Sequence, residues 1–325
     1  MSEQPEESPA ETLALNVQLE YMPPEAVALL ADEALSPHQL LSGISAQIAG
    51  IAPSARICFS GDFVQSVQDR FDARDLSVEY GAVRGANFAV AKTMRSASGG
   101  VDIVVNAEML FLPADIDQDE AHNHVILLLH LAAHEAVHAL HHSRGEDSEA
   151  TFNSMMITSP SDAYYATEAG TVIEEYRAEL VAEQMHANPA STILSFQDDL
   201  ASLAGSIDDA RALSTTDVSR AARLHLAAAT NYWKALSLVA ARLRAAGTDI
   251  PRPILTSAGW QKYAAPLWER WQAALGELPI GLAAADAELL REVTREMMPI
   301  LEQFFVMTGV ARSWDADGGG YMYWR

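Results

Sequence analysis

Cysteine is nearly absent from this chain: one in 325 residues. Positive charge is scarce too, with 21 Lys and Arg against 44 Asp and Glu. A single cysteine excludes an intramolecular disulfide and any thiolate cage for a metal. Cys58 stands in the apolar triplet Ile57-Cys58-Phe59 and reads as a small core residue rather than a nucleophile. The formal net charge of −23 repels phosphate backbones and anionic lipid, so neither nucleic acid nor a membrane surface is the expected partner. Long apolar runs are missing as well. The longest, 125–133, is interrupted by His130 and is far too short to span a bilayer. The opening MSEQPEESPAET has neither the basic start nor the apolar centre of a signal peptide. These absences together predict a soluble, cytoplasmic protein.

With 49% apolar and 20% charged residues, the chain can build a sizeable core. Residues 1–12 read as a disordered acidic tail. Helices are expected from Pro23-Pro24 through Leu30 and again after Pro37. Arg56 to Ser60 has the pattern of a short strand. The stretch 76–94, with its valines, aromatics and glycines, suggests a hairpin. Gly99-Gly100 then leads into Val101-Asp102-Ile103-Val104-Val105-Asn106, the clearest strand of all. From about Asp117 the pattern is helical: one long buried helix over 122–142, a polar loop over 143–161, and a helix over 165–186. Further helices are expected over 191–207, 216–246, 258–275 and 284–307. Strands early and helices late make an α+β protein. The expected division is a catalytic domain over 13–187, a helical region over 188–310, and a tail over 311–325. That tail carries Gly318-Gly319-Gly320 and is expected to fray rather than fold back over a cleft.

Within the long helix stands His134-Glu135-Ala136-Val137-His138, an H-E-x-x-H pattern. Residues four apart share a helix face, so both imidazoles can reach one cation. Glu135 is rotated by roughly 100° and meets a metal-bound water instead. Zinc makes that water acidic, and the carboxylate beside it acts as general base. His130, His134, His138 and His142 form one row at spacing four, but only the central pair encloses a carboxylate directly after its first histidine. His130 reads as a buried, hydrogen-bonded neighbour, and His141 and His142 as complements to the negative end of the helix dipole. His142 is also a candidate near substrate.

A catalytic zinc takes three protein ligands and leaves one position to water. Downstream lies Glu174-Glu175-Tyr176-Arg177-Ala178-Glu179-Leu180-Val181-Ala182-Glu183. Here the sequence resembles the gluzincins, metallopeptidases whose third zinc ligand is a glutamate on a later helix. It is similar in particular to the E-x-x-A-D/N-x-x-A pattern of ImmA/IrrE-like and HtpX-like peptidases. Glu175, Ala178, Glu179 and Ala182 fill those positions, with Glu179 where those families carry Asp or Asn. The resemblance covers about 101–186. It implies a zincin-like fold, Zn2+ as cofactor, and a peptide or protein as substrate. By it, His134, His138 and Glu175 are the zinc ligands, and Glu179 holds a ligand histidine by its other ring nitrogen. It also implies that strand 101–106 is an edge strand open to extended substrate. The donor to the developing oxyanion is sought among Tyr164, Tyr165, Tyr176, His142, Tyr321 and Tyr323, with Tyr165 and His142 foremost.

Two other readings compete. Glu135-x-x-His138 and Glu183-x-x-His186 form two E-x-x-H pairs, as in di-iron carboxylate bundles, although that reading leaves His134 without a role. A zincin-like domain can also serve as a non-catalytic binding or regulatory module.

Overall fold

The computed structural model describes residues 16–76, 79–84, 87–113, 115–189, 193–315 and 319–325. The acidic segment 1–12 and Gly318 of the tail lie outside them. Among the described residues the fold is α+β, mostly helical around a small mixed sheet. Among the described residues no helix is long and apolar enough to cross a membrane.

The main sheet has the order β1 (Val17–Glu20), β2 (Arg56–Ser60), β6 (Val101–Asn106), β5 (Ala91–Arg95). β1, β2 and β6 run parallel, and β5 is antiparallel to β6. The expected strands 56–60 and 101–106 are found at those bounds. Strand 101–106 is not the edge, however: β2 and β5 flank it, and β5 is the outer strand. Its residues Ile103 and Val104 are fully buried, which a run apolar on both faces requires of an interior strand. The expected hairpin over 76–94 is divided. A two-residue pair, β3 (Val83–Arg84) with β4 (Asn87–Phe88), stands apart, and β5 goes on to pair with β6.

α1 (Pro24–Ala31), α2 (Ser36–Ile51) and α3 (Phe63–Asp72) surround the sheet. α4 (Gln118–Arg144) crosses it, starting at an Asp117 cap and ending at Gly145, whose φ of 68° is the left-handed cap that glycine adopts without strain. The loop expected over 143–161 contains a further helix, α5 (Ser148–Ser154), capped by Asp147. It packs so closely on α6 (Pro160–Met185) that a Cβ at Gly170 would lie 2.7 Å from the Ser148 Cβ.

α7 (Phe196–Leu213), α8 (Val218–Ala246), the short α9 (Arg252–Leu255), α10 (Ala265–Gly276) and α11 (Ala287–Met307) complete the helical half. α6 belongs to both halves. Tyr165, Ile173, Tyr176 and Leu180 enter the helical core, whereas Ala178, Val181 and Ala182 enter the core beneath the sheet. A boundary at 187 therefore follows a helix that the two cores share. The tail does not fray. β7 (Val310–Trp314) and β8 (Gly320–Trp324) form a hairpin, with Met322 and Trp324 packed on the helical core. Arg312 lies 3.8 Å above the ring of Tyr164.

Beneath β1 and β2, Arg70 donates to both Glu20 oxygens at 3.0 Å and to Asp102 at 2.8 Å. Burial raises the Glu20 carboxyl, but the Arg70 and Ser66 donors outweigh it and bring it from 4.5 down to about 2. A carboxylate depressed on folding stabilises above its unfolded pKa and loses that contribution as pH falls through the folded one. Thermal unfolding of the wild type is thus expected to worsen from pH 4.5 towards 2. Glu20→Gln should lower Tm at pH 7 and flatten the acid limb of the Tm profile. An unchanged acid limb in this variant would show that the pair contributes nothing.

Candidate metal centre

The buried residues of α4 lie between Leu128 and His141, and within that stretch His134 and His138 leave the helix one turn apart toward α6. Their Nε2 atoms face each other at 3.1 Å. Glu175 Oε2 completes the triangle, 3.5 Å from His134 Nε2 and 4.0 Å from His138 Nε2. Ligand bonds of 2.0–2.1 Å in a tetrahedron put ligand atoms about 3.3 Å apart. The triangle matches that size, and its donors, two imidazoles and a carboxylate, are a zinc-type set.

The electrostatics are those of a site holding a proton where a cation fits. Burial depresses His134, but hydrogen bonds to Glu175 and Glu179 raise it to about 10. Burial and the His134 charge bring His138 down to about 3. The same surroundings thus favour the protonated form of His134 and the neutral form of His138.

Glu179 stands behind this triangle. Its Oε2 lies 3.0 Å from His134 Nδ1, on the side of the ring away from Glu175, and 3.3 Å from His130 Nε2. Its Oε1 accepts from Arg242 Nε at 2.6 Å. Against the penalty of burial, Arg242 and the two histidines hold Glu179 well below the usual carboxylate range. His130 is fixed from its other side, its Nδ1 2.8 Å from the His186 carbonyl. His130, Glu179 and Glu183 form a second group of possible ligands. Arg242, 3.3 Å from Glu183 as well, already compensates its charge. Neither group brings Glu183 and His186 beside His138, as two irons would require.

Glu135 points elsewhere. Its Oε2 accepts from the Thr93 hydroxyl at 2.7 Å, and the same hydroxyl reaches the Glu135 carbonyl at 2.9 Å. Outer strand β5 thereby holds the Glu135 carboxylate. Glu135 also lines a small apolar recess with a cavity volume of about 10 Å³, room for about one water, whose other walls include Ile48, Val90, Leu128 and Leu131.

Several expected residues are not at this centre. Tyr165 lies ten residues before Glu175, about 15 Å along the helix, and is buried against Trp314 and Phe305. Tyr164 shares that cluster. The Tyr176 hydroxyl accepts from Arg244. Tyr321 and Tyr323 lie on β8, and Tyr321 donates to Asp315. His142 Nδ1 sits 3.3 Å from Asp147, one turn beyond His138. His141 is not a charged complement to the helix end, because burial and nearby Arg177 hold it well below its usual pKa and so neutral. Glu174 accepts from the backbone and hydroxyl of Ser148 on α5. Cys58 is fully buried and pushed up to about 12 by that burial, so it stays a thiol.

The residues missed in the sequence are Thr93, Arg242 and Lys234. Lys234 Nζ donates to Glu175 Oε1 at 2.8 Å from α8. Glu175, although buried, is held well below the carboxylate range, first of all by that ammonium. Comparison with protein-family models, with curated proteins and with solved structures finds no match to this chain.

Proposed function

We propose that this protein is a zinc-dependent hydrolase of zincin-like fold that cleaves peptide bonds. The observation that carries the reading is the convergence of His134 Nε2, His138 Nε2 and Glu175 Oε2, with Glu179 behind His134. Zinc, when bound, supplies a Lewis acid and a water of lowered pKa. Glu135 accepts the proton of the attacking water and returns it to the leaving amine. Glu179 keeps the His134 ring in the tautomer that presents Nε2. Thr93 restricts the Glu135 carboxylate to one position, which lowers the cost of orienting it.

A peptide substrate is favoured by the position of the outer strand. Outer strand β5 lies against Glu135, where an extended chain can align.

The test is metal analysis followed by cleavage assays on unfolded protein and mixed peptides. About one zinc per chain is expected, consistent with a single three-ligand site. A chelator should abolish cleavage while the helical circular dichroism largely persists, since both cores are apolar and independent of the metal. Two irons per chain with oxo-bridge absorption would overturn the hydrolase. One zinc without cleavage of any substrate would favour a non-catalytic binding module.

A further inference from the structure

We infer that Lys234 is a catalytic residue of the proposed hydrolase, the group that receives the negative charge developing on the substrate carbonyl oxygen. The inference rests on the reading above. The tyrosines among the sequence candidates are used elsewhere: Tyr164 and Tyr165 pack in the helical core, Tyr176 is bound to Arg244, and Tyr321 and Tyr323 lie on the C-terminal hairpin. At the centre itself a cationic side chain, Lys234, meets a proposed metal ligand. Its ammonium lies 2.8 Å from Oε1 of Glu175, the carboxylate whose other oxygen faces both imidazoles.

Lys234 belongs to a matched series between α6 and α8. Thr230 donates to Glu168, Lys234 to Glu175, and Arg242 to Glu179, in the same order along both helices. Two members of the series differ in exposure. Arg242 is mostly buried and bound to two carboxylates, a fixed structural pairing. The Lys234 side chain keeps 31% of its surface exposed and Glu175 keeps 20%, so this pair is partly open to solvent. A lysine ammonium has three donors on a flexible stem. One can remain on Glu175 Oε1 while another exchanges its present partner for an arriving substrate oxygen.

Charge supports the assignment. The divalent ion outweighs the single negative charge of Glu175, and Lys234 adds a further positive charge. This is a local surplus in a chain whose net charge is −23. Preorganised positive charge at the place where an oxyanion forms is the largest catalytic contribution such a site can make. The arrangement also gives the helical half a role in the chemistry, since α8 supplies the group.

The alternative is that Lys234 only neutralises Glu175. Cobalt-substituted protein separates the two, because its visible spectrum reports ligands added to the metal. Methylphosphonate serves as the anionic, tetrahedral probe and imidazole as the neutral one. Lys234→Met is expected to retain about one metal per chain and bind imidazole as wild type does. Its methylphosphonate affinity should fall by about 10–100-fold, the loss of one charge-assisted contact. Lys234→Arg should recover part of that loss. If Lys234→Met binds methylphosphonate like wild type, or loses both probes equally, Lys234 is not the oxyanion group, while the hydrolase reading stands. A wild-type protein that takes up neither cobalt nor zinc overturns both.

Discussion

Glu135→Gln is expected to retain a full complement of zinc and to lose about 10²–10⁴-fold in kcat, the range for removing a general base. Metal retention follows from the geometry. The Glu135 carboxylate is bound to the Thr93 hydroxyl and is not among the atoms that converge on the metal position. The glutamine amide has the same shape and its oxygen can still accept from Thr93, so the surrounding packing should be undisturbed. What it cannot do is accept the proton of a water. The loss should therefore fall on kcat with little change in KM, the pattern of an interaction made only in the transition state. Metal content by mass spectrometry and steady-state kinetics on the best peptide check this. Full activity in the variant would remove Glu135 from the mechanism.

Which parts of the molecule were legible in the sequence depended on how far apart the interacting residues lie. The H-E-x-x-H pair is local, and helix periodicity alone puts His134 and His138 on one face. Strands 56–60 and 101–106 were legible from their short, strongly apolar runs bounded by turns. Helix α3 was missed because it is short and mostly polar, with only Phe63, Ser66, Val67 and Arg70 buried. Helix α5 was missed for the same reason: Thr151 is its one buried residue, and its Asp147 cap reads equally well as a loop residue. The C-terminal glycines suggested fraying, but Met322 and Trp324 find apolar partners on helices far away in sequence. Thr93 and Lys234 lie 42 and 59 residues from the carboxylates they hold. No spacing rule reaches across such distances, so only the folded chain brings them to the centre. The edge assignment failed because strand order in a sheet is set by crossovers, not by the strand's own residues.

The glutamates of α6 carry the second large expected effect. Spacing leaves Glu175 and Glu179 equivalent, because each has an alanine three residues on and a glutamate four residues on. The folded chain separates them by which ring nitrogen each one meets. Glu175 Oε2 faces the Nε2 atoms of both histidines, and Glu179 Oε2 meets His134 at Nδ1. Glu175→Ala is accordingly expected to remove one of three metal ligands and to weaken zinc by more than about 100-fold, the upper end for residues that act through a ligand. It should not unfold the protein, since Lys234 is partly exposed and can be hydrated once its partner is gone. Glu179 is different. Truncating it to alanine would leave Arg242 with Glu183 and strip His130 and His134 of a shared acceptor, so loss of zinc in that variant would be ambiguous. Glu179→Gln avoids this, because the amide oxygen can still accept from either His134 or Arg242. It should keep the fold and weaken zinc about 10–100-fold by loosening His134. Competitive titration against a chromogenic chelator, with thermal unfolding as the control for folding, compares the two. If Glu179→Gln loses zinc while Glu175→Ala retains it, the third ligand lies one helical turn further along α6 than assigned.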